Sequence, residues 1–225
     1  MVPKVVGSRP TFHPDFYDRC IVSGAAVVLF CSQPPLENFL MDKDIDKTEL
    51  QFRAAVAMCR KVYEAKLRDY GAAWRMMRPS SVTDQILIKA DRIRTLEVSG
   101  DAKVKDESIL DGFIGIVNYG IMALIQLRLG FASGKDISSE EALNLYDSEM
   151  AVTHDLMLCK NHDYGEAWRK MRVSSYTDLI LMKVMRTKEI EDHLGATEVS
   201  EGVDANYRDM INYAIFAIIK LAVEK

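Results

Sequence analysis

Three polar positions interrupt an apolar stretch near residue 110, and a matching set recurs near residue 205. Glu107, Asp111 and Asn118 stand at i, i+4 and i+11, which places them along one side of a helix. Ninety-four residues later the same register gives Glu201, Ala205, Asp209 and Asn212. Overlaid, the two runs read E-x3-D-x3-D-x2-N. Gly115 stands in the first where Asp209 stands in the second, and Ala205 stands in the second where Asp111 stands in the first. Carboxylates leading into so apolar a helix need a counter-charge, water or a metal, because burying them alone is costly. Hard oxygen ligands spaced by helical turns suit Mg²⁺, which prefers carboxylates beside substrate phosphates. Glu107, Asp111, Glu201 and Asp209 are therefore the candidate metal ligands. A plainer reading stands beside this one for Glu107 and Glu201, since negative charge favours the first turn of any helix.

The opposite charge is supplied by a second repeated set. Lys66, Arg75, Arg78, Lys89 and Arg92 recur as Lys160, Arg169, Arg172, Lys183 and Arg186. Lys89 and Arg92 are i, i+3 on one helix face and suit phosphate oxygens, the arginine as a fork and the lysine as a point charge. Trp74 and Trp168 offer a surface on which a base can stack, although a Trp just past a helix end also serves as a plug for a bundle. With Asn118 and Asn212, these residues form the candidate ligand-binding set. Asp69 and Asp163 are read as partners of the repeated basic residues.

Both sets belong to a tandem duplication. From Lys66 to Arg92, 17 of 27 positions are identical to the residue 94 later, and Glu97, Glu107 and Asn118-Tyr119 match further on. The copies fall within residues 41–135 and 136–225, joined by the polar run ASGKDISSE. Each reads as three helices. The first covers about Lys47–Arg68, and its partner about Ser139–His162, with apolar residues at helical spacing. Gly71 and Gly165 then end them in a left-handed residue. The second helix is expected to follow SSVTD and SSYTD, with Ser81/Asp84 and Ser175/Asp178 as capping boxes. The third is the most apolar, FIGIVNYGIMALIQLRLG and MINYAIFAIIKLAV. The predicted fold is all-α, two three-helix modules packed as a pseudo-twofold bundle, because neither alone offers much core.

Composition narrows the partners. Net charge is −4, which argues against stable nucleic-acid binding while leaving room for a small phosphorylated ligand in a locally basic pocket. The four cysteines, Cys20, Cys31, Cys59 and Cys159, form no close pair and no zinc spacing, as expected of a reduced, cytoplasmic chain. Residues 1–40 carry five of the six prolines and are read as a poorly ordered or non-native extension. Their apolar patch, Cys20–Cys31, is too short to span a bilayer, so no membrane partner is expected. Nothing speaks against a homo-oligomer.

At K-x-x-D-Y-G-x-A-W-x-x-x-R, followed by S-S-x-T-D, K-x-x-R and a late helix ending in N-Y, the sequence resembles the nucleotide-modification-associated family of small helical domains. The resemblance covers both repeats, roughly 47–225, and implies a role in nucleotide metabolism or modification. More distantly, the repeat and acid stripe are similar to the all-α nucleoside triphosphate pyrophosphohydrolases of the MazG and dimeric dUTPase type. Those enzymes hold Mg²⁺ with E-x-x-E on one helix and E-x-x-D on another. Here no E-x-x-E stands on either first helix, and the second element is approximated only by Glu107/Asp111 and Asp209/Asn212. Two expectations follow: a nucleotide-binding protein with Mg²⁺-dependent pyrophosphohydrolase chemistry, or a non-catalytic module that binds a nucleotide or a protein. A third is that the repeated polar residues only knit the two halves together.

Overall fold

The computed structural model describes residues 47–100, 103, 107–193 and 202–224, all within the unit Ile45–Lys225. The 1–40 extension and Glu201 lie outside the described residues. Within them there are helices and no strands.

Helix α1 (Lys47–Tyr70) buries Phe52, Ala55, Cys59, Tyr63 and Leu67, one stripe at steps of three and four residues. A left-handed Gly71 at φ 64° ends α1, where a side chain would be strained. A single 3-10 turn, Ala73–Met76, then turns Trp74 inward. Helix α2 (Pro79–Ser99) follows, and α3 (Ile109–Leu129) completes the first repeat. The second repeat reproduces the order: α4 (Ser139–Tyr164), a left-handed Gly165, the turn Ala167–Lys170 with Trp168, α5 (Val173–Asp192) and α6 (Val203–Ile218). Helix α6 runs on into a wider π-turn at Ile219–Val223.

The predicted start of the second helices is corrected. Helix α2 begins at Pro79, whose missing N–H is no loss at that position, and α5 begins at Val173. Neither has a side-chain cap at its N-terminus, so Ser81/Asp84 and Ser175/Asp178 are not capping boxes. The residues of that motif point across the molecule instead. Thr83 donates to Glu191 at 2.8 Å, and Thr177 donates to Glu97 at 3.0 Å. Asp84 pairs with Lys188, and Asp178 with Arg94 at 3.1 Å. Each bond has its mate at the 94-residue offset, so α2 and α5 face one another about a pseudo-twofold axis. Burial raises the carboxyls of Glu191 and Glu97 above their ordinary value.

At the centre α3 packs along α6, with α2 on α3 and α5 on α6, while α1 and α4 each touch both central helices. The fit of α3 on α6 depends on Gly120, where a Cβ would come within 2.6 Å of Ile211 Cγ1. Helix α3 is apolar and long enough to cross a membrane by composition, but 72% of that stretch is buried inside the bundle. It is the core helix. Its few polar residues are answered. Asn118 donates to the Cys59 carbonyl of α1 at 3.1 Å and accepts from the Tyr146 hydroxyl of α4 at 3.1 Å. At the mate of this site, Asn212 donates to the Thr153 carbonyl at 3.4 Å, but its Oδ1 is buried with no partner among the described residues. The reason is a single difference: Phe52 stands where the other repeat has Tyr146.

Arg75 and Arg169 fasten the segment that follows each third helix. Arg75, 2% exposed, forks onto Asp136 at 2.9 and 3.0 Å and donates to the Gly130 carbonyl at 2.7 Å and to Gln126. Arg169 donates to Glu166 and to Glu224 at 2.7 Å each and to Thr48, with its guanidinium 4.3 Å from the Trp168 ring centre. Both arginines, expected to face a phosphate, are spent on the fold.

Two outcomes are expected. Phe52→Tyr supplies the donor that Asn212 lacks and raises stability by about 1 kcal/mol, read as a higher unfolding midpoint in urea; a lower midpoint would mean the ring edge has no room for the hydroxyl. Arg75 holds the Asp136 carboxyl below its ordinary value of 3.8, so this pair contributes above that pH, and the contribution is lost as pH falls through the lower folded value. Asp136→Asn is therefore less stable than wild type at pH 7, and the difference shrinks as unfolding is followed down toward pH 3.

Candidate functional site

A cavity of 430 Å³ opens in the first repeat where the end of α1, the Gly71–Met77 turn, α2 and the first half of α3 meet. Local folding explains its contents. Because α1 ends at Gly71 and the chain doubles back, Lys66, Tyr63 and Tyr70 project from the last turns of α1 toward Trp74 on the returning turn. Lys89 comes from the middle of α2. Glu107, just before α3, and Asp111, Gly115, Asn118, Tyr119 and Met122 on it line the opposite wall. The site is thus a charged rim on an aromatic and apolar pocket.

The rim is arranged around Glu107. Lys89 Nζ donates to its carboxylate at 2.5 Å, and Arg92 Nη2 donates to its main-chain carbonyl at 2.6 Å while Nε lies 3.5 Å from the carboxylate. Lys89 first, then Arg92, hold the Glu107 carboxyl below its ordinary value. Asp111 closes the capping box of α3: it accepts from Ser108 N at 2.8 Å and from Ser108 Oγ at 2.6 Å, and Ser108 keeps its carboxyl low. Lys66 is exposed and makes no ion pair or hydrogen bond among the described residues. Arg92 Nη1 is buried and likewise unpartnered among them. Tyr63 and Trp74 stand with ring centres 6.5 Å apart in the wall behind, and burial raises the Tyr63 hydroxyl above its ordinary value.

The second repeat places the equivalent residues differently. Lys183 and Asp209 meet at 2.6 Å with both side chains 8% exposed, and Lys160 bonds the other carboxylate oxygen of Asp209. Phe216, at the position of Met122, stacks on Trp168 with ring centres 4.4 Å apart and planes 5° from parallel. Arg208, at the position of Ile114, is fixed to Glu149 at 2.9 Å and Thr153 at 3.0 Å. Asp209 and Phe216 thus stand in the second repeat where Gly115 and Met122 stand in the first.

The sequence-predicted set therefore divides. Lys66, Trp74, Lys89, Asn118, Glu107 and Asp111 meet in one cavity. Arg75 and Arg169 are clamps, and Arg92 positions Glu107. Lys160 and Lys183 hold Asp209, Asn212 ties α6 to α4, and Trp168 is a plug. Arg78 and Arg172 lie exposed where α2 and α5 begin, outside the cavity lining, and Arg186 lies half-buried on α5. Tyr63 and Tyr119 were missed. The signal for Tyr119 was present, since Asn118-Tyr119 recurs as Asn212-Tyr213, whereas Tyr63 is Met157 in the other copy and left no trace.

Of the four expected carboxylates Glu201 lies outside the described residues, and those residues hold no cluster of three or more His, Cys, Asp or Glu side chains suited to a metal. Glu107 and Asp111 share the cavity, but the first is engaged by two cations and the second by its helix cap, while Asp209 belongs to the other repeat. Two carboxylates beside Lys66, Lys89 and Arg92 leave no excess negative charge, so the donor set does not fit a resident divalent ion.

Comparison with known families returns two matches to one model, described as nucleotide modification associated domain 1, over residues 66–127 and 160–221. No curated protein and no solved structure is similar enough to match. The two matched segments begin and end at the same 94-residue offset as the repeat, and each spans the end of a first helix through most of a third. The chain belongs to the nucleotide modification associated domain 1 family and carries that domain twice.

Proposed function

We propose that the protein binds a nucleotide in the first-repeat cavity, phosphate end against Lys66 and Lys89 and base against the aromatic wall of Tyr63, Trp74 and Tyr119. The observation that carries this reading is that Lys66 and Lys89 line the same cavity. Both lysines recur in the second repeat, and Lys66 has no protein partner in the first among the described residues. A solvated lysine kept beside a preformed apolar pocket is a ready receptor for an anionic group. The volume of 430 Å³ lies within the range of small-ligand pockets. The family's association with nucleotide modification supports the same ligand class.

A hydrolytic reading draws on a different observation, the two carboxylates Glu107 and Asp111 set next to those lysines. In that reading a divalent ion would arrive with the ligand's own phosphates and would supply charge neutralisation there. The similarity to all-α pyrophosphohydrolases favours this class of reaction, and the missing E-x-x-E counts against it. A protein that neither splits any nucleoside triphosphate in the presence of Mg²⁺ nor loses its fold would leave binding as the function.

Titration calorimetry with the deoxynucleoside mono- and triphosphates tests the binding reading. Lys66→Ala should weaken binding by about tenfold or more, because a charge-assisted hydrogen bond is lost. Its melting temperature should equal that of wild type, since the side chain is exposed and holds nothing in the fold. Unchanged affinity in Lys66→Ala would move the ligand elsewhere. Hydrolysis is read in the same samples as pyrophosphate or phosphate release.

A further inference from the structure

The two repeats answer the same electrostatic problem in two ways. Lys66 and Lys89 in the first correspond to Lys160 and Lys183 in the second. In the second, one carboxylate, Asp209, lies between both ammonium groups and is bonded to each. Its position in the first repeat is Gly115, which lines the cavity. A Cβ built there would meet first the aliphatic stem of Lys89, at 3.6 to 3.7 Å, an ordinary contact. A side chain can therefore start at 115 on the cavity wall, and the chain carries none there while keeping both lysines, Lys89 with Glu107 as its partner.

We infer that Asp209 is a built-in occupant of the second repeat's anion position, and that the vacated position over Gly115 receives the terminal anionic group of the ligand, so that one chain binds one ligand. The inference rests on the reading that the first-repeat cavity is the ligand site, and it adds the orientation and the stoichiometry. Only a compact group, a terminal phosphoryl or a carboxylate, matches what Asp209 places between the two lysines. The rest of the ligand extends along Met122 toward the aromatic wall. In the second repeat that path is closed by Phe216 stacked on Trp168. Two independent substitutions, Gly for Asp and Met for Phe, thus open the same pocket in the same repeat.

The test exchanges the two residues. Inorganic phosphate, pyrophosphate and the four deoxynucleoside monophosphates are titrated onto wild type, Gly115→Asp and Asp209→Gly, with melting temperatures measured alongside. Wild type should take one equivalent. Gly115→Asp should lose affinity by about tenfold or more while melting no lower than wild type, because the new carboxylate neutralises Lys66 and Lys89 from within. Asp209→Gly should melt lower, since it strands the buried Lys183, and millimolar phosphate should restore more of its melting temperature than it adds to wild type. Wild-type affinity in Gly115→Asp, two equivalents bound by wild type, or no response of any protein to any of these anions would each overturn the inference. If Asp209→Gly does not fold, the Gly115→Asp titration decides alone. Phosphate binding that obeys the substitutions without any nucleotide binding would overturn the nucleotide reading and leave this one standing. Nucleotide binding that ignores Gly115→Asp would do the reverse.

Discussion

Two of the most apolar helices in the chain, α3 and α6, lie against each other at the centre, and a polar group caught between them and their neighbours has no water to turn to. Leaving such a group unpaired costs about 1–3 kcal/mol. That penalty accounts for the placement of several polar side chains near the axis. Asn118 is answered by a carbonyl of α1 and a hydroxyl of α4, so one amide holds three helices. Asp209 is answered by two lysines from two helices. Between α2 and α5, buried Thr83 with Glu191 and Thr177 with Glu97 repeat the solution. The fold is apolar in bulk and is specified by these few obligate partners.

The helical class, the repeat and the left-handed helix ends were legible in the sequence, because they depend on local spacing and on glycine. The motif S-S-x-T-D was not. A Ser and an Asp three residues apart fit a capping box, and they fit equally the first turns of a helix already begun at Pro79 or Val173. What separates these alternatives is the partner of Thr83 and Asp84, which lies more than 100 residues away on α5. Arg75 was opaque for the same reason. Retention in both copies marked it as important, but a clamp on Asp136 and a grip on phosphate demand the same side chain. The pocket itself was half visible: Lys66, Lys89, Glu107 and Asp111 were found from charge and register, while Tyr63 entered only through the geometry of the α1 end.

Comparison of the repeats with each other supplies what a family alignment would ordinarily supply. Residues that serve the shared scaffold are paired in both halves, as with Arg75 and Arg169 or Thr83 and Thr177. Where the halves differ, some of the differences have an evident physical result. Tyr146 against Phe52 decides whether a buried amide is satisfied. Gly115 against Asp209, and Met122 against Phe216, decide whether a pocket is open or filled.

The polar linker between α3 and α4, gripped by Arg75 through Asp136, has a consequence for what the protein can become. Two separate identical chains could assemble around the same axis, but every substitution in such a pair would appear twice, opening or sealing both pockets together. Covalent fusion frees the halves from that identity. One half can keep a glycine where the other carries a carboxylate, and each can be tuned without altering its mate. The linker converts a symmetric architecture into a device with a distinguishable front and back.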